Sequence, residues 1–463
     1  MGTRKYSFLI PITAVVLLSA CATPVSQDEM DSATQAQVPS SPENWTVSLN
    51  ATDVQIDWVN TFNDPTLIKL VKEAQANNKN LQASAANVER ARALAAQAGA
   101  ALTPAVDLTA GGSRTGSPSS GVPTTSNLNL GLQVNWELDL WGRIRAGAQA
   151  AAASAQAVAA DFRYAQHSLA AATIKAYLTA IEANLQVDVA KERVTTLEET
   201  LRIVTVRYDN GLASGQDLAL TRADLAAARE QLITIKNSQR DALRALEILL
   251  GRYPAAELAV RTSLPDVPPS APAGTPSELL ERRPDLIAAE RRVAAAFNAV
   301  EQAKTAQLPR LSLTGTSGGT SNSLSNLLSA ENVVWQLGTN LLTPIFDGGR
   351  LRAQVEIQTA EQEQALAIYG QAALEAFNEI ESTLDQGVVL MAREVELHQV
   401  TQQANKAYRI AKLRYQEGET DLLDVLTIQQ RAIGARSSYI SIQRLLLEQR
   451  VNLHLVLGGS FGN

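Results

Sequence analysis

Asn127-Leu128-Asn129-Leu130-Gly131-Leu132-Gln133-Val134-Asn135-Trp136-Glu137-Leu138-Asp139-Leu140 alternates apolar with polar or small residues without a miss. Read as a strand, it has one greasy face and one wet face. Val106, Leu108 and Ala110 alternate likewise, as do Leu311 and Leu313, then Trp335, Leu337, Thr339 and Leu341. Gly-, Ser- and Thr-rich loops, Arg114 to Ser126 and Gly318 to Asn332, divide each pair of strands. A soluble sandwich would set the apolar face against a second sheet, and four strands in 463 residues offer none. A transmembrane barrel accounts for the pattern better, with the apolar face on lipid and the polar face on a lumen. Four strands cannot close a barrel, and an open sheet edge in lipid leaves backbone groups unpaired at several kcal/mol each. Several chains must share the wall. Two copies would make a barrel filled by its own side chains, so three, giving twelve strands, are the fewest that leave a channel.

The chain states its plan twice. Gly142-Arg143-Ile144-Arg145-Ala146 is matched by Gly349-Arg350-Leu351-Arg352-Ala353, and Arg207-Tyr208-Asp209-Asn210-Gly211 by Arg414-Tyr415-Gln416-Glu417-Gly418, both at an offset of 207. Asp217 and Asp424 keep that register, while Leu81, Pro104, Val106 and Leu108 match Leu286, Pro309, Leu311 and Leu313 at 205. This is duplication. The first repeat is expected over 45–263, with strands at 105–114 and 127–140 and a helical hairpin at 143–250. A Pro-rich linker, 264–276, leads to the second repeat, 277–463, with strands at 310–317 and 333–346 and a hairpin at 348–457. Each repeat reads helix, two strands, long helix, turn, second helix. The fold class is mainly α with a transmembrane β part.

Val187, Ala190, Val194, Leu197, Leu201, Val204 and Tyr208 step by three and four, a coiled-coil seam leading to Gly211. Thr401, Ala404, Tyr408, Ala411 and Tyr415 repeat it up to Gly418. No Pro interrupts Arg143 to Asn210, and one unbroken helix there would reach roughly 100 Å. That is about three times the hydrocarbon thickness of a bilayer, a length suited to an extended tube beyond the membrane rather than to a soluble bundle. Gly211 and Gly418 can each take the positive φ that ends a helix.

Arg4 and Lys5 precede an apolar run from Phe8 to Leu18 that is too short for a permanent span and contains Pro11. Residues 1–20 read as a signal peptide. Leu18-Ser19-Ala20-Cys21 resembles a bacterial lipobox, which makes Cys21, the sole cysteine, the expected acylated first residue of the mature chain. Ala22 follows it rather than Asp, and in lipoproteins of this type that implies transport to the outer membrane. Residues 21–44, polar and carrying Pro24, Pro39 and Pro42, read as an acylated tether.

Composition narrows the field. One Cys forms no intrachain disulfide, and three His leave little for a transition-metal site. A net charge of -7 lacks the basic stripe of a nucleic-acid binder. There is no Walker loop, His-Glu-x-x-His or Gly-x-Ser-x-Gly elbow, and His167, His398 and His454 have no constellation around them. No cofactor, metal or enzymatic role is expected.

Phe62-Asn63-Asp64-Pro65-Thr66-Leu67, Trp136-Glu137-Leu138-Asp139-Leu140-Trp141-Gly142-Arg143, Ser277 to Leu286, Pro309-Arg310-Leu311-Ser312-Leu313 and Pro344-Ile345-Phe346-Asp347-Gly348-Gly349-Arg350 come in order along the mature chain. Together with the lipobox they resemble the TolC family of outer-membrane efflux channels, most closely its OprM-like lipoprotein branch. The resemblance implies a homotrimer with a twelve-stranded β-barrel continuous with a periplasmic α-helical barrel. It also implies partnership with a periplasmic adaptor and an inner-membrane transporter of the RND type. It places a closed gate at the helical tips, where Asp424 matches an acidic position of the family. Leu423 can supply an apolar constriction, and three copies of Asp421 and Asp424 would gather carboxylates into a narrow mouth. Some members carry an Asp one turn on, where this chain has Thr427. Asp421 and Asp424 also suit a helix N-terminus. Gly211, Gly418 and Asp217 are the expected tip turns and adaptor contacts, Asp217 as a cap. Trp136 and Trp335 are expected at the membrane interface. A protein-secretion conduit and a non-conducting coiled-coil stalk are the alternative readings.

Overall fold

The computed structural model describes residues 26–39, 45–47, 58–117, 122–269 and 282–459. Cys21 lies outside them. They begin with helix α1 (Gln27–Gln37), then α2 (Pro65–Asn77), α3 (Lys79–Ala100), strands β1 (Ala105–Ser117) and β2 (Val122–Leu138), and helices α4 (Arg143–Asp209) and α5 (Gly215–Leu249). The second repeat supplies α6 (Pro284–Thr305), β3 (Arg310–Ser321), β4 (Val333–Leu342), α7 (Arg350–Glu417) and α8 (Leu422–Val456). Among the described residues no helix is long and apolar enough to cross a membrane. The residues fall into two units, each drawing on both repeats.

The first unit holds the sheet, antiparallel in the order β1-β2-β3-β4. Its register keeps like faces together. Val134 stands opposite Val106 and Gly315, and Leu311 opposite Leu138 and Leu341, so the alternating apolar residues of the strands share one face, while Val334 and Leu342 fall on the other. Asn135 opposite Ala105 and Thr314, and Gln336 opposite Thr316, mark the other. Among the described residues β1 and β4 are the open edges.

The strands differ from the expected bounds. β1 runs on to Ser117 and β2 starts at Val122 because Arg114 pairs with Ser126 and Thr115 with Thr125 inside the expected loop. β3 likewise continues to Ser321, paired with Leu128. Backbone pairing needs no apolar side chain, which is why polar composition hid these extensions. At the other end β2 stops at Leu138, because the Asp139 carboxylate turns to accept from the Ile144 and Arg145 N–H groups, both 2.9 Å, and starts α4. β4 stops at Leu342, short of Pro344, which has no N–H to give a ladder. There Asp347 accepts from Gly349 and Leu351 at 3.0 and 2.9 Å, and these donors hold its carboxyl below the usual range.

The expected tether is not wholly unstructured. α1 lies within 21–44, and its Met30 is buried among Val293, Phe297 and Tyr369. Met30, with Ala33 and Thr34 beside it, gives a short polar helix a face to bury.

The second unit has its main core around Trp58, Phe62, Leu67, Ile174, Tyr177, Leu178, Leu246 and Leu447. Asp64 organises it. Its Oδ1 caps α2 by accepting from Thr66 and Leu67 at 2.9 and 3.2 Å, and its Oδ2 accepts from the Tyr177 hydroxyl (3.1 Å) and Arg261 (3.2 Å). Burial, reinforced by that carboxylate, pushes the Tyr177 phenol up. Glu247 is buried as well. Burial alone would raise its carboxyl, but three backbone N–H donors, at Ala256, Glu257 and Leu258, hold it below the ordinary value and anchor the chain leaving α5. Arg283 ties α6 to two other helices, paired with Asp285 (2.7 Å) and Glu379 (2.8 Å) and donating to the Val456 carbonyl. His454 is stacked flat on Trp58, 4.4 Å between centroids.

Candidate functional site

The two hairpin tips, both in the second unit, are built alike. Gly211 has φ +72°, its N–H donating to the Tyr208 carbonyl (2.9 Å) while Leu212 N–H donates to Arg207 (2.7 Å). Gly418 has φ +83°, with its N–H on Tyr415 (3.1 Å) and Glu419 N–H on Arg414 (2.8 Å). These paired bonds satisfy the last carbonyls of α4 and α7 only because a residue without Cβ accepts that backbone.

The return helices start at matching positions. Ser214 Oγ accepts from Asp217 N–H (3.1 Å) and the Asp217 carboxylate accepts from Ser214 N–H (2.9 Å), a reciprocal cap. Asp421 occupies Ser214's place in the second repeat, its Oδ1 accepting from Asp424 N–H at 2.9 Å. The Thr420 hydroxyl donates to Asp424 Oδ2 at 3.1 Å. Both acidic residues therefore serve the N-terminus of α8 in the single chain, and both remain exposed. Leu423 between them is 61% exposed, while Leu422, Val425 and Leu426 turn into the core. Thr427, one turn on, is exposed and donates to the Leu423 carbonyl.

That core joins the hairpins: Leu197 and Val204 of α4, Leu225 of α5, Tyr415 of α7 and Val425 of α8 are buried together. Arg207 reinforces it. Its Nη1 donates to the Tyr415 carbonyl at 2.7 Å, and its guanidinium lies 4.8 Å over the Tyr415 ring centroid. Burial pushes the Tyr415 phenol up, against the Arg207 charge. The repeated Arg-Tyr-x-x-Gly motif is not symmetric in use: Tyr415 is 6% exposed and Tyr208 45%. Nothing in the sequence separates Arg207 from Arg414, so this contact is absent from the sequence reading. Further ion pairs, Lys412 with Glu199 (3.1 Å) and Arg436 with Glu192, link α7 and α8 to α4. A groove of about 210 Å³ lies beside the tips, with Arg193, Leu197, Leu220, Asp224, Leu423 and Thr427 in its walls.

Away from the tips, Trp136 and Trp335 share the apolar face of the sheet without standing level. Trp136 is opposite Leu313 and Trp335 opposite Ser317, four residues further along β3. Trp136 donates from Nε1 to the Leu102 carbonyl (3.1 Å), whereas Trp335 is 74% exposed.

A sheet with one apolar face and one polar face, joined to paired helical hairpins that end in ordered tips, defines an outer-membrane channel. The comparisons agree. The family model for outer membrane efflux proteins matches residues 70–252 and 275–459, so the chain belongs to that family. The pyoverdine export outer membrane protein OpmQ of Pseudomonas aeruginosa is 32% identical, over 97% of this chain and 96% of its own length. The Campylobacter jejuni CmeC outer membrane channel superposes with a TM-score of 0.85 at 25% identity, over 92% of this chain and 94% of that one. The open state of the Neisseria gonorrhoeae MtrE outer membrane channel gives 0.81 at 28%, over 92% and 98%. The protein is an outer-membrane efflux channel, and channels of this kind work within tripartite pumps beside an adaptor and an inner-membrane transporter.

Proposed function

We propose that three copies form a passive exit duct whose twelve-stranded barrel is shared and whose periplasmic mouth is gated at the helical tips. The observation that carries this reading is the sheet: among the described residues it has four strands, a lipid-compatible face, a polar face, and edges at β1 and β4 without a partner strand. Open edges in hydrocarbon are untenable, and a closed ring of copies removes them. Leu423, Asp424 and Asp421 ring the mouth in this reading, with Cys21 as the lipid anchor and Trp136 and Trp335 toward the membrane boundary. The exposed surface around Gly211, Gly418 and Asp217, together with the adjoining groove, meets an adaptor whose pump is of the RND type. A duct need not discriminate among solutes, so the pump selects what is exported; drugs or other small solutes suit it.

Planar-bilayer recording of the purified protein, with its mass measured in the same detergent, tests the proposal. Discrete conductance from a three-chain species is the expected result. A trimer that passes no ions points to a stalk, and a folded monomer overturns the shared barrel.

A further inference from the structure

The segment joining β3 to β4 folds back onto the apolar face of the sheet. Along that face the side chains run from Leu138, opposite Leu311, to Leu128, opposite Ser321. Those ten steps of β3 are about 34 Å of strand, which a tilt of about 40° reduces to about 26 Å, the height of a lipid-facing band. Beyond Leu128 the first charge on the same face is Arg114, opposite Ser126. The band therefore ends between Leu128 and Arg114, at the end of the sheet away from α4 and its periplasmic hairpin.

Residues 322–332 cross back inside that limit. A Cβ on Gly319 would come within 1.8 Å of the Leu327 carbonyl oxygen. The carbonyl thus lies directly over the face that Gly319 shares with Leu130 and Val333, one row inside Leu128. Only a residue without a side chain leaves room for a second backbone there. The segment meets part of its own hydrogen-bonding need: Leu327 N–H donates to the Leu324 carbonyl (3.3 Å), and the Asn326 carbonyl accepts from Ser329 N–H (3.1 Å) and Asn332 Nδ2 (2.7 Å). Leu327 is buried in the fold-back, whereas Leu324 and Leu328 are 75% and 80% exposed.

We infer that Leu324 and Leu328 enter the outer leaflet at the border between headgroups and acyl chains, so that this segment anchors the outer rim of the barrel in lipid. The inference rests on the shared-barrel reading, which turns the apolar face to the bilayer and directs the rim away from the periplasm. A ring of copies leaves the side opposite the lumen to lipid, so lipid rather than a second copy covers the segment. Irregular backbone is excluded from the hydrocarbon itself, and the border is the depth at which leucines bury while neighbouring Ser and Asn side chains stay among headgroups.

Fluorescence quenching in vesicles tests it. The full-length protein carrying Leu324→Cys or Leu328→Cys is labelled with bimane and reconstituted in phosphatidylethanolamine–phosphatidylglycerol vesicles, with the wild type as control for Cys21. Leu337→Cys, on the apolar face of β4, reports the band itself. A nitroxide near the top of the acyl chain should remove about half of the emission from both loop positions, and aqueous iodide little of it. Escape of either loop position from the nitroxide, with Leu337→Cys still quenched, overturns the anchor and leaves the barrel standing. Iodide then tells a loop in water from one covered by protein. Escape of Leu337→Cys from the nitroxide sinks the barrel reading itself.

Discussion

The Arg207 guanidinium on α4 lies over the Tyr415 ring of α7 and holds its carbonyl at 2.7 Å, joining the two hairpin tips of one chain. Arg207→Ala removes a charge-assisted hydrogen bond and a cation–π contact, together worth about 1–2 kcal/mol. Amide exchange around residues 414–420 should quicken about tenfold, and channel openings in bilayers should become more frequent. Unchanged exchange would assign Arg207 no part in holding the tips together.

Asp421 and Asp424 can be told apart by what they leave behind. Asp421→Ala removes the α8 cap and should cost about 1 kcal/mol of stability, seen as a lower melting temperature in detergent. Asp424→Ala should raise single-channel conductance and weaken block by multivalent cations, because it removes one carboxylate per copy from the mouth. If only stability responds to both changes, the constriction lies elsewhere.

Asp64 holds the second unit's core by four bonds, so its loss should be felt far from the tips. Asp64→Ala strands the buried Tyr177 hydroxyl and uncaps α2, a cost of about 3 kcal/mol. Tyr177→Phe should cost about 1 kcal/mol. Thermal unfolding followed by circular dichroism measures both, and equal effects would contradict the shared-carboxylate arrangement.

His454 gives the fold an acid limit. Burial, with Arg450 adding repulsion, lowers its pKa to about 4 from 6.5, so the folded chain holds it neutral where the unfolded chain binds a proton. Its contribution is complete above pH 6.5 and is lost as pH falls toward 4, by about 3 kcal/mol at most. His454→Leu should flatten the melting temperature between pH 6.5 and 4. A parallel decline in wild type and variant would place the acid sensitivity in other groups.

Much of the fold was legible in the chain. Strand faces showed because lipid and lumen impose a period of two, and the helical seam showed because its buried positions, Leu197, Val204, Ala404 and Ala411 among them, recur every three or four residues. Gly211 and Gly418 announced their turns for a steric reason that needs no neighbour. The strand ends were less legible: Thr115 and Thr125 pair through backbone alone, and Asp139 leaves the strand to cap a helix. α1 was hidden because Met30 is its one large apolar residue. At the candidate site the acidic residues and their fitness for a helix start could be found, but the bond from the Thr420 hydroxyl to Asp424 could not.

By itself the sequence determined what repeats along the chain and what one residue's sterics fix: periodicity, the glycine turns, duplication, and the excess of greasy strand face over anything the chain could cover. The tertiary structure alone decided which distant residues meet. Arg207 and Tyr415 lie about two hundred positions apart, as do Asp64 and Arg261, and β2 chooses β3 across the whole of α4 and α5. Such pairings depend on how helices bring remote segments into contact, and identical local motifs, one with its Tyr buried and the other with its Tyr exposed, carry no mark of that choice.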